Sequence, residues 1–387
     1  MKKKVFSWVA TFILVFYFCP SLTYGEEVKE PKVESQSAIL IEADTGRILW
    51  EKNAYEPRAM ASTTKIMTCI IALENGNLSD EVIVSKRAAR APQVKLGLRE
   101  GEKQRLGDLL YALMMKSSND AAVVIAEHIS GSVEVFCEKM TEKAKELGAK
   151  DTVFKTSNGL DAEGHGSTAY DLALITQYAM KNPKFVEIIN TKHLTIGGNG
   201  DYPPYSLANA NRFLYDFPGA NGVKTGYTGK AGYCFVGAVK QNEMQLISVV
   251  LASGWGSRGK EQKWTDTRRI MDYGFKNFKK ETLLEKGKLL KTIPVKRSRE
   301  DKISLYSNEK VIYTIKESEK SKIKIKITVP DYIEAPITKG QKIGVTKIYI
   351  GDELCKVIPL IADRDIERHD FPTSLKKVLN NWLKITK

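Results

Sequence analysis

Ala61-Ser62-Thr63-Thr64-Lys65-Ile66-Met67-Thr68 is the stretch around which the chain is organised. Ser62 and Lys65 are three residues apart, and Ile66, Met67, Ile70, Ile71 and Leu73 follow at helical spacing. If Ser62 opens that helix, its side chain and that of Lys65 leave one face, a turn apart. A serine hydroxyl is a poor nucleophile until a base takes its proton, and a partly desolvated lysine can be that base. A helix start adds backbone N–H groups and partial positive charge beside the nucleophile. The same spacing also suits a serine that only caps a helix. It recurs at Ser257/Lys260, Ser307/Lys310, Ser321/Lys324 and Ser374/Lys377, in lysine-rich segments where chance supplies it.

Two further motifs follow in order. Apolar spacing predicts helices over 106–115 and 121–129, with Asp120 as cap of the second. Ser117-Ser118-Asn119 lies in the break between them, and its S-x-N register uses Ser117 and Asn119. A hydroxyl there can relay a proton to a leaving amine, and an amide can hold a substrate carbonyl; a plain capping loop reads the same way. Lys224-Thr225-Gly226 precedes two apolar β-type runs, 233–239 and 245–252, and so fits an edge strand. An edge strand can pair with an extended peptide, and Gly226 lets that peptide come close. Lys224 and Thr225 can then bind a carbonyl or carboxylate. The bland reading is a solvated lysine before a turn.

Around these motifs the chain has the composition of a globular protein. It has 387 residues, which suggests two or three domains, and a formal charge of +14. That charge predicts acidic surroundings: nucleic acid, anionic lipid or an anionic cell wall. No zinc-finger spacing or interleaved aromatic and basic motif is present, so nucleic acid ranks last and no nucleic-acid partner is expected. Lys2, Lys3 and Lys4, the apolar run 5–19 and Thr23-Tyr24-Gly25 read as a signal peptide over 1–25, with an uncleaved anchor as the rival reading. Cys69, Cys137, Cys234 and Cys355 remain, irregularly spaced, with no C-x-x-C pair to suggest a metal. Cys69 fits a buried thiol. No metal and no cofactor are expected. His128 and His165 have no paired spacing, and His165 reads as a structural hydrogen-bonding residue.

A hairpin is predicted over 37–40 and 47–50, irregular charged chain over 77–104, and a helix over 133–147 ending at Gly148. A loop follows over 154–165, then a helix over 167–180, irregular chain over 193–222 and a helix over 264–278. Near Lys280 the character changes. The stretch 321–329 alternates strictly, as a half-buried strand does, and 303–306, 311–315, 345–350 and 354–360 look similar, with Gly351-Asp352 as a turn. This reads as a small all-β domain. In the tail, Leu375, Val378, Leu379, Trp382 and Leu383 share one helical face, with Lys376, Lys377, Asn380, Asn381 and Lys384 off it. The helix is too short to span a bilayer. It suits a membrane surface, or a docking site on its own β domain.

The order S-x-x-K, S-x-N, K-T-G on a helix start, an inter-helix loop and a strand resembles the set carried by β-lactamases and penicillin-binding proteins. More narrowly, the chain is similar to low-molecular-mass penicillin-binding proteins, the serine-type D-alanyl-D-alanine carboxypeptidases. The resemblance rests on 57–68, on Phe154, Asn158-Gly159-Leu160, His165 and Ser167-Thr168-Ala169-Tyr170-Asp171, and on Asn209, Asn211-Arg212 and 222–228. It implies an α/β fold, a penicillin-binding protein/β-lactamase-like sheet flanked by helices over 26–278. An all-β domain over 279–370 and an amphipathic membrane-anchor helix over 371–387 would follow. It implies that Ser62 attacks the penultimate D-Ala carbonyl of a peptidoglycan stem peptide, with Lys65 as base and Ser117 passing a proton to the departing D-Ala. Asn119 and Thr225 would position the peptide. Lys224 would supply positive charge, and the backbone N–H groups of Ser62 and Tyr227 would form the oxyanion hole, with Gly226 beside them. β-Lactams would be covalent inhibitors. Ser118 stands where many relatives have a small residue, and Tyr227 where many have histidine. For the substrate carboxylate, Arg258 and Lys263 remain unassigned candidates. The rival functions are a β-lactamase, which would need an added glutamate base not visible after Asn119, and a non-catalytic wall-binding protein.

Overall fold

The structure, a computed structural model, describes residues 29–198, 202–369 and 371–385; the signal peptide expected over 1–25 lies outside the described residues. The helices that matter to the site are α1 (Lys65–Asn75), α2 (Asn119–Ser130), α3 (Val133–Glu146), α4 (Ala169–Ala179) and α5 (Gly256–Asn277). Ser132 and Thr168 cap α3 and α4 by accepting from the N–H groups of Val135 and Asp171.

Five antiparallel strands form the central sheet: β1 (Ser37–Glu42), β2 (Ile48–Lys52), β3 (Ala220–Thr228), β4 (Gly232–Gln241) and β5 (Met244–Leu251), in the order β2-β1-β5-β4-β3. Helices cover both faces, so the middle strands read as near-continuous apolar runs, and alternation survives only in which face each side chain joins. Ala38, Leu40, Phe235 and Val250 pack with Ile270 and Met271 of α5. Ile39, Ile41, Val236 and Val249 pack on the other face with Ile66, Met67 and Ile70 of α1. Burying a side chain of this size contributes about 1.5–3 kcal/mol. β3 is the edge strand, as its motif predicted.

The irregular stretches carry more structure than their sequence announces. Glu81–Ile83 pairs with Lys103–Arg105, and His193–Ile196 with Tyr205–Ala208. The helix expected over 106–115 is α-helical only for Leu106–Tyr111 and continues as a π-helical turn, Ala112–Lys116. The helix expected over 264–278 starts earlier, at Gly256, with polar residues that periodicity does not register.

Between α5 and the tail helix the chain is β, apart from a 3-10 turn at Glu317–Lys322. β6 (Phe278–Leu284) begins where α5 stops, and β7 (Leu289–Lys296), β8 (Lys302–Ser307), β9 (Val311–Lys316), β10 (Ile323–Thr328), β11 (Ile333–Glu334), β12 (Lys342–Ile350) and β13 (Glu353–Ala362) follow. β6 pairs with β9, and the rest form one sheet in the order β10-β12-β13-β8-β7-β11. Gly351 at φ +61° makes the tight turn between β12 and β13. Arg47, at the start of β2's hairpin arm, reaches across to Glu319, with Nη2 2.7 Å from Oε1. The tail helix α6 (Phe371–Ile385) leaves Leu375, Val378, Leu379 and Trp382 46–73% exposed. No helix among the described residues is long and apolar enough to cross a membrane.

Candidate active site

Ala61–Thr64 forms a single 3-10 turn, so Ser62 lies just ahead of α1 rather than at its first residue. Ala61 has φ +48°, a left-handed conformation that costs a non-glycine residue about 1–3 kcal/mol. Two glycines hold the turn from opposite sides. At Gly159, φ +85°, an added Cβ would lie 2.1 Å from the Ala61 carbonyl oxygen and 3.0 Å from Ser62 Cα. At Gly226 on β3 it would lie 2.9 Å from the Ser62 backbone nitrogen. Only residues without a side chain let a loop and a strand close on the nucleophile this way.

Lys65 follows one turn on. Its Nζ lies 3.0 Å from Ser62 Oγ and 2.8 Å from Asn119 Oδ1, and also donates to the Asn158 carbonyl. The side chain is fully buried, and none of these three partners carries charge. Burial, and then the charge of Lys224, hold its pKa well below the ordinary lysine value, with Asp120 opposing. A neutral amine keeps two N–H donors, which suit Asn119 and Asn158, and one lone pair, which suits the Ser62 hydroxyl proton. The geometry is that of a base already in contact with its nucleophile.

Asn119 opens α2. Its oxygen serves Lys65, and its Nδ2 donates to the Pro92 carbonyl at 3.1 Å, with a second hydrogen to spare. Ser117 sits at φ +62°, half-buried, at the end of the π-helical turn and two residues from Asn119. Ser118 is the N-cap of α2, but its hydroxyl is buried without a partner. Asp120 does not cap the helix, contrary to the sequence expectation. Its carboxylate accepts from the N–H groups of Leu96, Gly97 and Leu98 at 2.8–3.1 Å, besides Ala121. Three convergent N–H groups from a loop outweigh one local donor, and the carboxylate ties that loop down beside the site.

On β3, Lys224 is buried and its Nζ donates to the Thr225 carbonyl at 2.9 Å. Burial lowers its pKa to about 7. Thr225 is half-buried opposite Phe235, and Tyr227 is exposed with its ring 4.3 Å from that of Tyr233. The structure thus joins Ser62, Lys65 and Asn119 in one hydrogen-bonded cluster. Gly226 is in contact with it and Lys224 within charge range. Ser117 and Tyr227 adjoin it through their chain neighbours Asn119 and Gly226 and make no hydrogen bond to it among those described. The sequence reading missed the Asn158 carbonyl, because a backbone acceptor has no residue signature; the adjacent glycine was the available hint.

Arg258 is exposed and paired with Glu34 at 2.9 Å. Lys263 is buried, donates to the Lys260 carbonyl at 2.6 Å and lies over the rings of Tyr233 and Trp264. His165 has Nε2 3.0 Å from Thr64 Oγ1, and its Nδ1 accepts from Lys155 N–H at 3.0 Å. Burial lowers its pKa to about 4, so it is a neutral strut, as expected. Cys69, Cys137, Cys234 and Cys355 are free thiols, the first three buried. Among the described residues, no group of three or more His, Cys, Asp or Glu is placed to hold a metal ion.

Residues 25–254 match the D-alanyl-D-alanine carboxypeptidase family, and 278–368 match the C-terminal domain of penicillin-binding protein 5. The chain is 35% identical over 391 residues to D-alanyl-D-alanine carboxypeptidase DacF of Bacillus subtilis, covering 99% of each chain. It is 30% identical over 372 residues to DacC of Escherichia coli, covering 92% of this chain and 90% of that one. The crystal structure of penicillin binding protein 5 from Haemophilus influenzae superposes with a TM-score of 0.73 at 28% identity, over 88% of this chain and all of that one (100%). These matches and the cluster at Ser62 agree: the chain belongs to the D-alanyl-D-alanine carboxypeptidase family, the serine hydrolases among the low-molecular-mass penicillin-binding proteins.

Proposed function

We propose that the enzyme removes the terminal D-Ala of peptidoglycan stem pentapeptides through an acyl-enzyme on Ser62. The neutral Lys65 amine takes the hydroxyl proton as Oγ attacks the penultimate D-Ala carbonyl. The oxyanion forms against the backbone N–H groups of Ser62 and Tyr227. Collapse breaks the peptide bond, Ser117 hands its proton to the leaving D-Ala amine, and the proton held by Lys65 replaces it, so that both side chains end as they began. Water then hydrolyses the ester and frees Ser62. Asn119 and Thr225 hold the peptide along the β3 edge, and protonated Lys224 answers the terminal carboxylate. β-Lactams acylate the same hydroxyl.

One observation carries this reading: a fully buried amine with only uncharged acceptors, 3.0 Å from Ser62 Oγ. The test is Ser62→Ala, followed by D-Ala release and by mass spectrometry after penicillin treatment. Both D-Ala release and the covalent adduct should vanish; a persistent adduct overturns the assignment.

The same reading divides the chain into a signal peptide at 1–25, a catalytic domain at 26–278, a β domain at 279–370 and an anchor at 371–387. The work is then done outside the cytoplasmic membrane, at the wall, where it bears on cell shape. Support comes from the Lys2-Lys3-Lys4 start, the +14 charge and the exposed apolar face of α6. A chain ending at 370 should lose flotation with anionic vesicles while keeping penicillin binding; equal flotation of both forms removes the anchor.

A further inference from the structure

Two residues past Gly226 on β3, Thr228 meets the loop that carries Asn158. Thr228 Oγ1 donates to Asp161 Oδ1 at 2.8 Å and accepts from the Ala231 N–H at 3.0 Å. Asp161 is exposed. It sits two residues past Gly159, as Thr228 sits two past Gly226, and each glycine touches the Ser62 turn. The bond therefore bridges the two walls of the cleft one step beyond the nucleophile. Residues two apart on a strand are about 6.8 Å apart and share a face, so Lys224, Gly226 and Thr228 line the same side of β3.

The proposed binding mode fixes the direction of the peptide. Its carboxylate lies at Lys224, so the rest of the stem runs antiparallel to β3, past Tyr227 toward Thr228. Counting back from the scissile bond, the penultimate D-Ala lies against Tyr227, and the residue before it reaches Thr228. In a stem peptide that third residue is a diamino acid, whose side-chain amine is the peptide's cationic group. We infer that Asp161, held by Thr228, is the subsite for the side-chain amine of the third stem residue. The inference rests on the carboxypeptidase reading above. Asp161 Oδ1 is engaged by Thr228, which leaves the second carboxylate oxygen for the amine. Lys230 is exposed in the same turn and tempers the attraction.

The test compares two peptides of one sequence, Nα-acetyl-L-Lys-D-Ala-D-Ala with a free ε-amine and its Nα,Nε-diacetyl form. The readout is the ratio of their kcat/KM values in each enzyme. The wild type should favour the free amine by about fivefold, the upper range for an exposed ion pair, and added salt should shrink the preference. Asp161→Asn keeps an oxygen for Thr228 and should bring the ratio to about 1; Asp161→Lys should invert it. If the wild type cleaves both peptides with a ratio near 1, or if the preference survives in both variants, this subsite is wrong and the carboxypeptidase reading stands. If the wild type cleaves neither, both fall together.

Discussion

The cleft and the junction between the two domains each bury a cation, and they treat it in opposite ways. At the junction, Arg47 has two Glu319 oxygens at 2.7 and 3.1 Å, Glu353 at 3.9 Å and the Tyr313 ring 5.4 Å away. Burial alone would lower its pKa, but the bond to Glu319 and the surrounding carboxylate charge raise it. In the cleft, Lys65 is more deeply buried and receives a hydroxyl, an amide and a peptide carbonyl. No acceptor in contact with it carries charge, and the pull of the Asp120 carboxylate is outweighed by burial and by Lys224, so its proton is held weakly. Burial is common to both; the charge of the partners decides whether a cation is a strut or a base.

The largest effect should come from restoring the charge that the cleft withholds. Lys65→Arg keeps N–H donors but stays protonated at any working pH, so no lone pair faces Ser62. Penicillin acylation should slow by about a thousandfold, within the range for loss of a positioned base. Rapid-mixing kinetics with a fluorescent penicillin measures it, and a loss under tenfold would break the contrast between the two sites. Next comes the backbone that holds the pair together. A Cβ at Gly226 meets the Ser62 nitrogen at 2.9 Å and the Met60 carbonyl at 3.2 Å, both backbone and neither free to swing away. Gly226→Ala should cost about thirtyfold in the same acylation rate, about 2 kcal/mol. A rate near wild type would mean that the strand and the turn can part to admit a methyl group.

The two sites also differ in how far the sequence announces them. Ser62 and Lys65 are legible because one helical turn brings them together wherever the helix goes. Lys224 and Gly226 are legible because a strand motif before a hairpin implies an edge. Asp120 was misread because an aspartate at a helix start looks the same whether it caps the helix or ties a distant loop. That choice depends on where residues 96–98 pass. Arg47 and Glu319 lie 272 positions apart and share no motif. The β domain was read from strands such as β10, whose isoleucines alternate, while β6 and β7 went unseen because Lys, Glu and Pro interrupt their pattern. Local pairs have a spacing to recognise; pairs made by the fold do not.

Intermediate in size is the pH dependence of kcat/KM. Activity requires neutral Lys65, so it should rise as pH climbs through that lowered pKa. It also requires charged Lys224, so it should fall above about 7, tenfold per unit at the limit. Lys224→Arg keeps the charge and should remove the alkaline limb while sparing the acid one. An alkaline limb that persists in this variant would show that Lys224 does not set it.

The smallest effect should be at the junction, and it concerns stability alone. Glu319→Gln keeps an oxygen for Arg47 but removes the charge, leaving a guanidinium with 7% side-chain exposure, bound to the Thr314 carbonyl and with Glu353 as its neighbouring carboxylate. Losing the charge of this mostly buried pair while keeping its hydrogen bond should cost about 1.5 kcal/mol, a fall of about 3–6 °C in Tm. Glu319 is bound to Arg47 and the Lys316 N–H at the domain junction, so the penicillin acylation rate should hold at its wild-type value. The sign of the pH dependence follows from its carboxyl. Burial pushes that pKa up, but the Arg47 bond and the Lys316 N–H pull it further down, to a net value below the usual 4.5. A lowered carboxylate pKa adds stability that is complete above 4.5 and drains away as pH falls through the folded value. The wild type should therefore melt above the variant at neutral pH, and the gap should close in acid. A gap that stays constant to low pH would mean that Glu319 acts by packing. The junction would then hold its cation by some means other than charge.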